Sequence, residues 1–405
     1  MYRRVAITGI GIINPLGIGK NDFFNSLILG KSGIKKITRF NTEGFPVQVA
    51  GEITEFPIDD FISKRLKVKT DRFTHYALAS AELALQDSKL NLEETNLNQV
   101  GVFLGNNAGG WDICERGYYE LYQQGAKMVN PWQAASWFPT APQGFLSIHY
   151  GIKGYSKSFV CDRASGASAL YFAMKSIQNG SNDIVLAGGT EAPLTPFGVT
   201  CYFENGELAS VTHPKNAYRP FNKDRTGVVL GEGSTILILE EMNHAKARGA
   251  KIYGELLSGE MTTDLQPNQT VSWEKCINKA IKNANIQPRD LSVIFAEGCG
   301  TSLGDQIEVE AITNSLGEDA LNIPISIPKS MYGHLYGAST STEVAIGLLA
   351  MESSTIPPTI NINDSDFRNK VRVVSSAEEA NVNTFMVNAR SREGVNASFI
   401  IGKTN

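Results

Sequence analysis

The chain has 405 residues, 42% hydrophobic and 19% charged, and its 37 basic residues against 41 acidic ones leave a net charge of −4. That length fits two domains or two fused halves of one body, and so even a charge argues against nucleic acid, whose partners usually carry a basic excess. Five cysteines, at 114, 161, 201, 276 and 299, form no C-x-x-C pair. An odd, unpaired set argues against a disulfide framework and a structural zinc site, and reduced thiols point to the cytoplasm.

At the start, Met1-Tyr2-Arg3-Arg4 and the apolar residues after it have the outline of a secretory signal. Thr8, Gly9, Gly11 and Asn14-Pro15 interrupt that outline, and a first buried strand over 5–8 ending in a turn explains it better. No run reaches the roughly 20 apolar residues that a membrane span needs. Gly9-Ile10-Gly11 opens a G-x-G-x-x-G pattern, but Asn14 stands at the third glycine, so no dinucleotide site is expected. Strand-like runs follow at 100–104, 184–187, 235–240 and 293–296, and helical stretches at 74–88, 165–179 and 272–284. Several strands close in glycine, and strand, glycine turn, helix is the pattern of a mostly buried α/β sheet. Two segments share a plan. A strand over 158–161 precedes a small-residue helix opening at Arg163-Ala164-Ser165-Gly166, and a strand over 325–327 precedes another at Gly337-Ala338-Ser339-Thr340. Small side chains let two helix starts approach and aim their N-termini at a shared site. The shared plan points to a duplicated half-domain.

Four motifs in order carry a resemblance. They are Ala187-Gly188-Gly189-Thr190-Glu191; Arg219-Pro220-Phe221-Asn222 running on to Gly231-Glu232-Gly233; Glu297-Gly298-Cys299-Gly300-Thr301-Ser302-Leu303-Gly304-Asp305; and Lys329-Ser330-Met331-Tyr332-Gly333-His334-Leu335-Tyr336-Gly337-Ala338. These resemble the ketosynthases of the thiolase-like superfamily. The resemblance implies two similar α/β halves, 1–250 and 251–405, in layers α-β-α-β-α with a mixed five-stranded sheet in each. The first half would carry the dimer-interface and tunnel-wall insertions.

Condensing thioesters needs a thiolate, which a helix N-terminus favours, and imidazoles to stabilise developing charge. Such ketosynthases use one cysteine and two histidines. Aligned on Ser165-Gly166, the cysteine position holds Arg163, which cannot be a nucleophile. The first histidine position holds Glu297, while His334 and Lys329 are retained, with structural roles expected of both. Arg163 and Glu297 are candidates to pair across the dead site. The glycine-rich loop expected near the C-terminus is replaced by Asn388-Ala389-Arg390-Ser391-Arg392-Glu393-Gly394. Loss of a nucleophile costs on the order of 10⁶ in turnover. Cys161, two positions earlier, is either a displaced nucleophile or a small packing residue. Cys299 is expected to be inert.

Trp132-Gln133-Ala134-Ala135-Ser136-Trp137-Phe138, the stretch 144–151 and Gly109-Gly110-Trp111 are similar to the chain-length factors of type II (aromatic) polyketide synthases. Such subunits usually carry glutamine where this chain has Arg163. The resemblance implies a non-catalytic subunit that pairs with an active ketosynthase and shapes the tunnel for the growing polyketide chain. Acyl carrier protein would deliver malonyl units on its phosphopantetheine arm, with no metal, no bound cofactor, no nucleic acid and no membrane involved. It maps the tunnel end onto Trp111, Cys114, Tyr118 and Ala135. The first three share one helix face at i, i+3 and i+7, a spacing that an ordinary core stripe also has. The rival readings are a synthase or malonyl decarboxylase acting through Cys161, and a subunit that only stabilises its partner.

Overall fold

Val5–Asn14 (β1) is buried at every position, as a strand between two neighbours in a covered sheet must be. In the computed structural model, which describes residues 3–266 and 268–404, it runs beyond the expected 5–8. Met1 and Tyr2 of the signal-like stretch lie outside the described residues. The glycines do not end the strand; they admit a helix. A Cβ on Gly11 would lie 1.8 Å from the Ser80 carbonyl oxygen. That oxygen belongs to α1 (Arg72–Ser88), which starts two residues earlier than expected because Asp71 caps it.

The first half contains β1, β2 (Val100–Gly105), β3 (Lys157–Phe159), β4 (Ile184–Glu191) and β5 (Gly233–Glu241), in the order β3-β2-β4-β5-β1. The second contains β6 (Gly254–Thr263), β7 (Val293–Phe295), β8 (Pro324–Ser326), β9 (Thr384–Arg390) and β10 (Val395–Gly402), in the order β8-β7-β9-β10-β6. Each half is mixed in the same way, with three parallel strands followed by two antiparallel ones. The halves join where β1 pairs β6 at Ala6↔Glu255 and Ile7↔Gly254. With the short strands Gly17–Ile18 and Arg372–Val373, the described residues form one continuous 12-stranded sheet.

Helices complete the layers. On the outer face of the first half lie α1 and α3 (Ala141–Tyr150); on that of the second lie α6 (Val271–Ala284) and α7 (Ser302–Leu316). Between the halves lie α4 (Ser165–Gln178) and α8 (Ser339–Ser353), in contact with each other. Residues 339–351 of α8 are all buried, as a helix enclosed on all sides requires. The small residues at the two helix starts meet as their spacing implied. A Cβ on Gly166 or Gly189 would lie 2.3 or 1.8 Å from the Gly337 carbonyl oxygen. The strand expected over 158–161 stops at Phe159, where its pairing with Gly105 of β2 ends, so Cys161 belongs to the turn before α4. Two further helices matter for the site: α2 (Trp111–Tyr119) and α5 (Pro196–Glu204).

Candidate functional site

The turn into α4 is tightly built. Asp162 has φ 51°, in the left-handed region that Asp tolerates better than most residues. Ser165 Oγ donates to the Asp162 carbonyl at 2.6 Å and accepts from the Cys161 amide at 2.8 Å. The turn delivers Arg163, 4% exposed, to the N-terminal end of α4. That end carries partial positive charge, which suits a thiolate and opposes a guanidinium. Carboxylates offset the conflict. Arg163 Nη1 donates to Glu207 Oε2 at 2.6 Å, and Nε lies 3.2 Å from Glu297 Oε1. Nε also donates to the Arg390 carbonyl at 3.1 Å. Burial opposes the charge, but Asp162, Glu207 and Glu297 raise the Arg163 pKa above its ordinary value.

Glu297 stands at the end of the β7 segment with partners on several sides. His334 Nδ1 accepts from the Tyr336 amide at 3.0 Å, so the neutral ring carries its proton on Nε2 and donates it to Glu297 Oε1 at 2.8 Å. Burial lowers the His334 pKa. The Lys329 ammonium donates to the Ala296 carbonyl at 3.2 Å, and lies 2.6 Å from Glu343 Oε1 and 3.7 Å from Glu297 Oε2. Burial alone would raise the Glu297 pKa, but Lys329, His334 and Arg163 outweigh it and hold it at about 2. Glu308, fully enclosed, accepts from the Glu297 and Gly298 amides at 2.7 Å each.

The altered loop closes the other side. Arg390 pairs with Asp264 at 2.9 Å and donates to Asn396 Oδ1 at 2.6 Å and the Gln269 carbonyl at 3.0 Å. The Arg392 amide donates to Asp162 Oδ2 at 2.8 Å. The His334 Nε2 donor and the Arg163 Nε and Nη1 donors already serve Glu297, Glu207 and the Arg390 carbonyl. Cys299 is buried with its thiol pushed up to about 12, so it is protonated at neutral pH. Cys161 packs half-buried against the central core. Among the described residues no group of three or more His, Cys, Asp or Glu side chains is arranged to hold a metal ion.

The structure thus brings Arg163, Glu297, Lys329 and His334 together. Trp111, Cys114 and Tyr118 lie apart from them on α2. Trp111 and Tyr118 flank the Phe197 ring, with centroids 5.2 and 6.1 Å away. Cys114 is buried, whereas Ala135, on the short helix Gln133–Ser136, is exposed. Helix α5 links the two places. Its Phe197 meets the α2 aromatics, and its Tyr202 ring lies 4.7 Å from Tyr336, itself 5.0 Å from His334. Sequence reasoning missed Phe197, Tyr202 and Glu207. The i, i+4 spacing of Phe197 and Cys201 after Pro196 was the available signal for α5.

Residues 2–245 match the beta-ketoacyl synthase N-terminal domain, and residues 250–363 match the C-terminal domain. The chain is 34% identical over 99% of both lengths to a 3-oxoacyl-[acyl-carrier-protein] synthase 2 of Coxiella burnetii. It is 33% identical over 98% of both lengths to the tetracenomycin polyketide synthase ketoacyl synthase beta subunit of Streptomyces glaucescens. Among solved structures, the ishigamide ketosynthase/chain length factor superposes with a TM-score of 0.93 at 29% identity, covering 100% of both chains. A type II polyketide synthase acyl carrier protein in complex with its ketosynthase bound to the hexaketide gives 0.89 at 28% identity, again over 100% of both chains. With both domain matches lying over the two halves of a thiolase-like fold, the chain belongs to the beta-ketoacyl synthase family.

Proposed function

We propose that this chain is a non-catalytic subunit of a type II polyketide synthase, paired with an active ketosynthase and forming the far wall of its product tunnel. One observation carries the reading: Arg163, which the resemblance aligns with the nucleophile, is a buried guanidinium held by two carboxylates and a carbonyl. Such a group does not attack a thioester. The His334 donor that would polarise a carbonyl is directed at Glu297 instead.

A wall role is supported by α2 and its neighbours. Bulky side chains exclude an advancing chain by volume, and Trp111, Tyr118 and Phe197 meet edge to face in such a cluster, Tyr118 and Phe197 being exposed in the single chain. The same region supports the pairing. Tyr119, Tyr122, Met128, Trp137 and Phe138 are 60%, 77%, 58%, 41% and 49% exposed, the kind of apolar surface that marks a protein interface. The acyl carrier protein would serve the partner's cysteine. Condensation through Cys161 is the rival reading, and it needs that half-buried thiol to accept an acyl group. Trp111→Ala tests the wall role: products of the complex should lengthen by at least one malonyl-derived unit with yield retained. Unchanged length at retained yield would leave only a stabilising role.

A further inference from the structure

The segment Lys69 to Arg72 touches both pieces of the proposed wall. The Lys69 carbonyl accepts from Ser136 Oγ, and its ammonium lies 4.1 Å from the Trp132 ring centroid. Both partners flank Ala135. Asp71 caps two helices at once. One oxygen accepts from the Phe73 amide of α1 at 3.4 Å, the other from the Ile113 amide of α2 at 2.8 Å. Helix α2 begins after Gly110 and has no capping side chain of its own, so Asp71 supplies from α1 the acceptor that a local cap would provide. Arg72 reaches Asp112 Oδ2 at 3.2 Å and Glu232 Oε2 at 3.3 Å, and donates to the Ala192 and Leu194 carbonyls at 3.4 Å each. Gln133 closes the arrangement. Its Nε2 donates to the Ile113 carbonyl, and the side chain lies over Gly117, where a Cβ would come within 2.2 Å of it.

Behind α2 the packing is incomplete, although Ile113 itself is buried. On the side away from Trp111, Cys114 and Tyr118, a cavity of about 410 Å³ is lined by Asp71, Arg72, His75, Asp112, Ile113 and Arg116 among others. A helix backed by open volume loses the packing that would hold it. Its place then depends on polar contacts at its first turn as well as on the packing of Trp111 and Tyr118 against Phe197.

We propose that Asp71, Arg72 and Gln133 are positioning residues that fix where the α2 wall stands, and through it the length of chain the tunnel admits. This inference rests on the wall role proposed above. The test uses the complex of this chain with an active ketosynthase, supplied with malonyl-loaded acyl carrier protein, and reads product length by mass spectrometry. Asp71→Ala and Gln133→Ala should each broaden the products toward longer chains, with the longer species rising several-fold. Asp71→Asn, whose amide oxygen can still accept from Ile113, should restore the original distribution. A merely structural role would lower yield and leave the distribution alone. If Asp71→Ala does not fold, Gln133→Ala decides: a shifted distribution supports the inference and an unshifted one overturns it. Trp111→Ala run beside them separates the two ideas. A shift with Trp111→Ala but none with the clamp variants overturns the positioning role only, whereas no shift with any of them overturns the wall role and this inference with it.

Discussion

Arg163 occupies a helix end that disfavours its charge, and Glu297 occupies a buried place that disfavours its own. Arg163 is tolerable because of Glu207 and Glu297, and Glu297 because of Lys329, His334 and Arg163. The two exchanges were legible in the sequence as departures from the ketosynthase motifs. Their pairing could be raised but not decided there, because alignment fixes positions and says nothing about side-chain direction. Glu207 was invisible for a similar reason: it sits 44 positions from its partner, on a segment carrying no motif. Removing one member of a buried ion pair costs roughly 3–5 kcal/mol. Glu297→Gln should fall near the lower end, about 3 kcal/mol by denaturant titration, since Glu207 still serves Arg163. Its pH dependence has a defined sign. The Glu297 pKa is depressed from 4.5 to about 2, so its contribution is fully present above pH 4.5 and lost as pH falls toward 2. The stability gap between the native chain and Glu297→Gln should therefore be constant above pH 4.5 and shrink below it; a gap that widens on acidification would refute the assignment.

At the scale of elements, helical periodicity served well for α2 and poorly where glycine did two jobs. Trp111, Cys114 and Tyr118 were read as one face of a helix, and they lie on α2. Glycines in β1 were read as the end of a strand, whereas they make room for α1. Gly11→Ala places a methyl group 1.8 Å from the Ser80 carbonyl and should cost about 1–3 kcal/mol or more, seen as a lowered melting temperature. Near-native stability would mean that α1 shifts freely against β1. Helix α5 escaped notice because no motif marks it and, over nine residues, the i, i+4 pair Phe197 and Cys201 is its main helical signal. Its Phe197 and Tyr202 nevertheless connect the altered site to the α2 cluster.

For the whole molecule, the two halves repeat one strand order, and the central helices α4 and α8 meet at the shared site. That symmetry was legible in the matching plan around 163 and 337. Of the exposed aromatic region at 118–138, only 132–138 was legible as part of a stretch resembling a known subunit; Tyr119, Tyr122 and Met128 were not, since exposure is a property of the fold. If a partner covers it, Trp137→Ala should weaken association by about tenfold or more, as loss of a buried interface tryptophan commonly does. Analytical ultracentrifugation would read the change, and unchanged affinity would place the interface elsewhere. The proposed loss of catalysis is tested most directly by intact-mass analysis after exposure to an acylating probe for ketosynthase cysteines, with the chain alone and beside an active ketosynthase. This chain should keep its mass in both samples while the ketosynthase gains one acyl group. An adduct on this chain, mapped by digestion to Cys161, would contradict the non-catalytic role.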